Sequence, residues 1–420
     1  MARSANAPSP VTSVVRRLDG VSVLAAWGAP DLLAGFVDRP APTSDPEAEV
    51  WFGAHPRHPS PVHDHGGVVS AAELDDAERP TFLVKLLAAA APLSIQVHPD
   101  DATARQGFAA EDAAGVPLDA PERRYVDPSG KPELVQALGP MRALCGLRPA
   151  HRSRALISRL VPEGVDPLME ALARGDGGLR DAVALVLRAD PVTVAAMLAA
   201  VVDGARDVVL QADDADAVGP QRDAELDRLA RLVLDLEQRH PGDAGTLVAL
   251  LLEDVDLAPG EALTVEPGTP HAYLSGLGLE VMACSDNVLR AGLTVKHVDA
   301  EEFLAVLDAS SVGVPWVGTL PRGADGTGWR RRILPSASFL VDEADVAGHL
   351  PLERHGAEPA VALCVSGAVT VRAADGSAVE LGPGGAVLIR PGAEPVVVEG
   401  RGSVIQAARI SPAPVGLTSG

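Results

Sequence analysis

Four short stretches of the sequence combine residue types that hold metals and move protons. In Ser94-Ile95-Gln96-Val97-His98, read as a strand, side chains alternate between faces, so Ser94, Gln96 and His98 share one side and Ile95 and Val97 the other. An amide and an imidazole on one face can grip a single cation. Asp127-Pro128-Ser129-Gly130-Lys131-Pro132-Glu133 sets a lysine and a glutamate two residues apart. Glu266-Pro267-Gly268-Thr269-Pro270-His271-Ala272-Tyr273 puts a histidine between a proline-rich turn and an aromatic. Ser285-Asp286-Asn287-Val288-Leu289-Arg290 brings polar side chains and an arginine after a short apolar run. Each stretch alone has an ordinary structural explanation: a packed histidine, a solvated charged turn, an exposed turn histidine, a hydrogen-bonded turn.

The elements that would position these residues follow from three textures. Up to about residue 148, short apolar runs alternate with Pro, Gly and Asp; Phe82 to Leu87 and Leu93 to Val97 read as strands joined by an Ala-Pro turn. From about 149 to 250 the period becomes helical, with Leu226, Leu229, Leu232, Val233 and Leu236 at three- and four-residue steps and His240-Pro241-Gly242 as a stop. Asp190-Pro191 supplies a cap and a first-turn proline for a second helix. From 251 onward strands and Pro-Gly turns return, together with an internal repeat. Leu257 to Gly276 aligns without gaps on Leu381 to Gly400, both copies carrying Leu, Pro-Gly, Ala, Pro-Gly and a final Gly. The rhythm of turn, short strand, turn, strand is that of a small antiparallel barrel or jelly roll, and the pattern resembles a cupin motif. Where the first copy has His271 the second has Pro395, which offers no ligand atom, so the second copy is expected to be structural.

At this point the sequence resembles the type I phosphomannose isomerases. The matching pieces, in order, are Trp51-Phe-Gly-Ala-His-Pro, Leu93-Ser-Ile-Gln-Val-His-Pro-Asp, Lys131-Pro-Glu, Pro270-His-Ala-Tyr-Leu-Ser-Gly and Met282-Ala-Cys-Ser-Asp-Asn-Val-Leu-Arg-Ala-Gly-Leu-Thr. The resemblance runs from about residue 20 to 300, with small departures at Val97 and Phe52. It implies a mainly β fold with a helical domain: two cupin-type jelly-roll β-barrels plus an α-helical insertion. The expected division is 1–148 with 251–320 as a catalytic cupin, 149–250 as the helical domain and 321–420 as a non-catalytic cupin.

The same resemblance implies one Zn2+ per chain, held by Gln96, His98, Glu133 and His271, a donor set that suits zinc chemically. The implied reaction interconverts mannose 6-phosphate and fructose 6-phosphate by proton transfer between C1 and C2 through an enediol. Arg290 is then expected to stabilise enediolate charge or hold phosphate through its fork. Glu280 is the first choice for a carboxylate base, with Lys131 or His271 as alternatives. Lys296, Lys85 and Ser94 are candidates for the phosphate end, and Tyr273, Asp286 and Asn287 for shaping the pocket.

Composition narrows the alternatives. The 420-residue chain carries a formal charge of -22, a surface that repels polyanions and argues against nucleic acid as a partner. A small phosphorylated sugar needs only a local cluster of cations. Three widely spaced cysteines fit neither a disulfide framework nor a cysteine zinc site, and a reducing compartment is expected. The most apolar stretch, Phe82 to Val97, is broken by Lys85 and Pro92, so no membrane span is expected, and the reading is a cytoplasmic monomer. His63-Asp64-His65 has metal-ligand spacing but no third partner in the sequence, and the acidic run around Asp207, Asp213, Asp214 and Asp216 suggests no role. No phosphate-binding loop, dinucleotide fingerprint or nucleophile elbow is present in the sequence. Two rival functions remain open: a metal-dependent cupin isomerase acting on another sugar phosphate, or a non-catalytic sugar-binding cupin. A fold with no active site would require Gln96, His98, Glu133 and His271 to lie apart.

Overall fold

The computed structural model describes residues 13–64, 66–213, 223–321, 328–336, 338–352, 358–392 and 395–409. His65, Asp214 and Asp216 lie outside the described residues. The chain forms two compact units: one takes the described residues up to Ala88, Leu277–Cys284 and those from Val317 onward, and the other Ala89–Gly276 with Ser285–Trp316.

In the second unit, Ile95–Val97 pairs antiparallel with both the start of His271–Ala283 and Leu289–Gly292. The long strand Glu133–Leu147 is flanked by Ala262–Val265 and Leu252–Leu257. Between Leu147 and Leu252 the chain turns helical, and these helices fall within the segment read as helical from its period. Pro191–Asp213 begins where Asp190 accepts from the Val192 and Thr193 amides, at 2.9 and 3.1 Å, satisfying N–H groups that the first turn leaves free. Ala224–Arg239 is capped in the same way by Asp223, and its Leu226, Leu229, Ala230, Val233 and Leu236 are buried. Burying a leucine or valine side chain contributes about 1.5–3 kcal/mol. The apolar stripe therefore fixes which face turns inward. The resulting core joins Ile95 and Val97 to Leu229, Leu236, Leu289 and Phe303, so the off-site face of the Gln96 strand is anchored in apolar packing.

In the first unit, a ten-stranded antiparallel sheet runs Thr319–Pro321, Trp329–Arg332, Phe339–Pro351, Val396–Arg409, Ala360–Ala373, Ala386–Ile389, Val15–Leu18, Pro61–Asp64, Gly67–Ser70, with Ala378–Leu381 beside Ala360–Ala373. Its interior is apolar, built from residues such as Trp329, Val371, Val387, Val398 and Val404. Val15 to Leu18 pairs in full register with Ile389 to Ala386. Strand pairing thus draws N-terminal residues into the same sheet as the C-terminal repeat, and the compact units do not follow the boundaries of sequence texture. Glu47–Gly53 also belongs here, paired with Val21–Ala29 and Phe82–Ala89.

The internal repeat is realised in three dimensions. Ala262–Val265 in the first copy corresponds to Ala386–Ile389 in the second, and the next strands begin at His271 and Val396. Gly268 and Gly392, at matching places in the intervening turns, both adopt positive φ (+83° and +60°), a region that costs other residues strain.

Candidate active site

Strand register brings the first set of residues together. Gln96 is the direct partner of His271 on one side and of Arg290 on the other, so all three side chains project from the same face. Gly268 then ties the turn before His271 to the neighbouring segment by donating its N–H to the His98 carbonyl at 2.9 Å. On the other flank, the Lys131 N–H donates to the Pro99 carbonyl at 3.1 Å and the Gly130 N–H to Asp101 Oδ1 at 2.8 Å. The loop carrying Lys131 and Glu133 is thereby laced to the residues that follow His98.

His98, Glu133 and His271 converge. Their ligand atoms lie within 4.8 Å of one another and all three residues are buried. His98 Nε2 is 3.3 Å and His271 Nε2 3.7 Å from the Glu133 carboxylate. The far ring nitrogens set the tautomers: Nδ1–H of His98 donates to the Asn287 carbonyl at 2.8 Å, and Nδ1–H of His271 to the Thr269 carbonyl at 3.1 Å. A carbonyl can only accept, so in each neutral ring Nε2 carries a lone pair and no proton. Burial, then the Lys131 charge, pushes His98 down; burial, then His98, pushes His271 down to about 4. Burial works to raise Glu133, but the Lys131 ammonium, 2.9 Å from Oε1, together with His98 and His271 outweighs it and holds the carboxyl well below its usual range.

Three electron-pair donors thus face one another with no proton between the rings and the carboxylate. His98 Nε2 is buried and makes no hydrogen bond among the described residues. Burying such an atom unpaired is costly, and a divalent cation taking two imidazoles and a carboxylate removes the cost. The donor set is that of a zinc site. Gln96 gives its amide N–H to Ser94 Oγ at 3.0 Å, leaving its oxygen as a neutral donor on the His271 face.

The remaining expected residues divide between the two units. Tyr273 is buried two residues beyond His271, with ring centroids 5.9 Å apart. Arg290 is half-buried, and burial pulls its guanidinium below the usual value, with no acidic group among the described residues to oppose this. Asp286 donates its backbone N–H to Asp127 Oδ2 at 2.8 Å, and Lys296 lies exposed beyond the Arg290 strand.

Lys85 and Glu280 belong to the other unit and are both buried there. Lys85 Nζ sits 3.3 Å from Glu280 Oε2, 3.3 Å from Glu49 Oε1 and 4.5 Å from the Trp51 ring centre. Sequence reasoning missed Glu49; its position two residues before Trp51, on the same strand face, was the available signal. It also passed over Asp127, whose turn sequence Asp-Pro-Ser-Gly marks a side chain that bonds nearby backbone. Cys145 and Cys364 are free thiols, and among the described residues no cysteine belongs to the candidate metal group.

Comparison with known proteins agrees with this geometry. Residues 15–150 match the family described as phosphomannose isomerase type I, catalytic domain. Mannose-6-phosphate isomerase of Escherichia coli (strain K12) is 38% identical over 298 residues, covering 67% of this chain and 71% of the relative. A mutant of phosphomannose isomerase from Salmonella typhimurium superposes with a TM-score of 0.82 at 30% identity, covering 95% of this chain and 100% of that one. A zinc-bound mannose 6-phosphate isomerase superposes with a TM-score of 0.80 at 30% identity and the same coverage. Sequence motifs, a buried two-histidine, one-carboxylate group and end-to-end structural likeness lead to one conclusion: the chain belongs to the type I mannose-6-phosphate isomerase family, with the cupin fold that family carries.

Proposed function

We propose that the chain interconverts D-mannose 6-phosphate and D-fructose 6-phosphate, with one zinc ion held by His98, Glu133, His271 and Gln96. The observation that carries this reading is the meeting of two proton-free Nε2 atoms with a buried carboxylate, one of those nitrogens making no hydrogen bond among the described residues. Zinc bound there supplies Lewis acidity toward the carbonyl and hydroxyl oxygens of an open-chain sugar.

The isomerisation needs a base to take the C2 proton of the aldose while the C1 oxygen takes up charge and then a proton. Return of a proton to C1, with loss of the proton on the C2 oxygen, yields the ketose. Arg290 is proposed to stabilise the enediolate or hold phosphate; its support is a half-buried guanidinium with no hydrogen bond or ion pair among the described residues, on the Gln96 face. Lys131, 2.9 Å from Glu133, is proposed to hold that carboxylate charged and to exchange a proton with substrate oxygen. Glu280 is proposed as the carbon base from its burial and from the family resemblance. Ser94, Lys296 and, from the resemblance alone, Lys85 are proposed for the phosphate end, with Tyr273 and Asp286 shaping the pocket.

The three-part division into a catalytic cupin (1–148 with 251–320), a helical domain (149–250) and a non-catalytic cupin (321–420) is proposed alongside, supported by Pro395 standing where the first repeat has His271. The partner is a small sugar phosphate, and a monomer in the cytoplasm is proposed, the reducing compartment being supported by the free thiols of Cys145 and Cys364. No single described helix is long and apolar enough to cross a membrane.

The test is direct. Purified protein supplied with zinc should convert mannose 6-phosphate to fructose 6-phosphate, a strong chelator should abolish turnover, and added zinc should restore it. Undiminished turnover after complete metal removal sinks the reading; preference for a different sugar phosphate in a substrate panel sinks the assignment of substrate.

A further inference from the structure

The His98 ring is oriented by a carbonyl, and that carbonyl is itself held by a closed set of hydrogen bonds. Asn287 accepts Nδ1–H of His98 on its backbone oxygen at 2.8 Å. Its buried side chain is fully engaged with one loop: Oδ1 accepts the Val126 N–H at 2.8 Å, and Nδ2 donates to the Asp127 carbonyl at 2.8 Å and the Ser129 carbonyl at 2.9 Å. Asp127 closes the set from the other direction. Its Oδ2 accepts the Asp286 N–H at 2.8 Å and Ser285 Oγ–H at 3.1 Å, while Oδ1 accepts the Ser129 N–H at 2.9 Å. Ser285 Oγ in turn accepts the Asn287 N–H at 3.2 Å.

We infer that Asp127 is a positioning residue for the metal centre: its carboxylate clips the 126–129 loop to the 285–287 turn so that the Asn287 carbonyl fixes the tautomer and tilt of His98. The chemistry asks for such a device. His98 presents a lone pair at Nε2 only while Nδ1 keeps its proton, and the Asn287 carbonyl is what keeps it there. The clip also couples both sides of the centre. Four residues beyond Ser129 in the chain comes Glu133, and three beyond Asn287 comes Arg290. A slack clip would therefore loosen a candidate ligand, the orientation of another and the strand bearing the arginine. Asp127 touches neither substrate nor metal in this scheme and acts through Asn287. The inference rests on the zinc reading above.

Asp127→Asn tests it with almost no change of shape. The new amide sets an N–H against the Asp286 N–H in one orientation, or against the Ser129 N–H and Asn287 Nδ2 in the other. The expected result is a zinc dissociation constant raised about 10–100-fold, measured by chelator competition. The visible spectrum of the cobalt-substituted protein should shift as well, with the far-ultraviolet circular dichroism of the metal-free protein unchanged. A merely structural role would lower the melting point of the metal-free protein and leave zinc affinity and the cobalt spectrum alone, and that result overturns the inference. Should Asp127→Asn fail to fold, Ser285→Ala removes the hydroxyl that joins this carboxylate to the Asn287 N–H; a severalfold loss of zinc affinity supports the clip, and parent-like affinity overturns it. His98→Ala separates the two layers: if that variant keeps zinc as the parent does, the zinc reading itself falls and this inference with it.

Discussion

Arg290 stands directly across from Gln96 in the pairing of Leu289–Gly292 with Ile95–Val97, and its guanidinium meets no carboxylate among the described residues. A partly buried cation without a counter-ion is expensive to keep. Lys131 and Lys85, by contrast, are each held by carboxylates. An arginine left open on the metal-site face is suited to negative charge that arrives with substrate or develops during the reaction.

Arg290→Ala should keep its zinc and its melting point while turnover on mannose 6-phosphate falls about 100–1,000-fold, the usual cost of losing one donor to a developing oxyanion. Arg290→Lys should fall between the two, because an ammonium keeps the charge but lacks the planar fork. Turnover measured beside zinc content decides the matter: an alanine variant as active as the parent would show that the open guanidinium has no part in the reaction.

His98→Ala and Glu133→Gln should both lose zinc, with different side effects. Removing the His98 imidazole deletes a donor and leaves Lys131 and Glu133 paired at 2.9 Å. Glu133→Gln keeps the volume but leaves the buried Lys131 ammonium facing a neutral amide, so a further loss of about 1–3 kcal/mol is expected in the metal-free protein. Metal analysis together with urea unfolding after chelation separates the effects. Equal stability of the two metal-free variants would show that Glu133 does not hold Lys131.

Much of the site could be read from the sequence, because period-two alternation is enough to place Ser94, Gln96 and His98 on one face, and a histidine after a Pro-Gly turn begins the next strand. The helical stretch was equally legible: Leu226 to Leu236 carries the 3.6-residue period, and Asp190 marks the start of the preceding helix. What stayed hidden depends on contacts distant in sequence. Nothing local to Asp127 says that its carboxylate meets Asp286, and nothing local to Glu49 says that it meets Lys85. The pairing of Val15–Leu18 with Ala386–Ile389 spans most of the chain and leaves no periodic trace in either segment.

Outside the site, Asp254 should govern part of the acid sensitivity. It is largely buried; burial works to raise its carboxyl, but Arg142 Nη2 at 2.6 Å and Arg228 Nη2 at 2.5 Å outweigh that and hold it below its ordinary value of 3.8. The unfolded chain therefore binds this proton more readily than the folded one, so the group contributes stability above the unfolded value and loses it as pH falls through the folded one. Asp254→Asn should cost about 1–3 kcal/mol at neutral pH, the arginines being one-third exposed and partly screened. The gap between parent and variant in urea midpoint should shrink as pH is lowered from about 7 toward 3. A gap that stays constant over that range would mean the carboxylate charge is not what stabilises the pair.

The repeat offers a matched pair of glycines on which to separate strain from site geometry. Gly268 and Gly392 occupy equivalent turns and both need positive φ, so an alanine at either is strained by about 1–2 kcal/mol. Their surroundings differ. A Cβ on Gly268 would lie 2.8 Å from Asp308 N and 2.8 Å from Val306 O, both backbone atoms, whereas one on Gly392 meets nothing within 4 Å among the described residues. The Gly268 N–H is also the donor to the His98 carbonyl, three residues before His271, so any shift of that turn moves one candidate ligand relative to another. Gly268→Ala should lower both the melting point and the zinc affinity, while Gly392→Ala should lower only the melting point. Chelator competition on the two folded variants supplies the check: equal zinc affinities would mean that the turn ahead of His271 can move without disturbing the centre, and the rigid link from Gly268 to His98 would have to be abandoned.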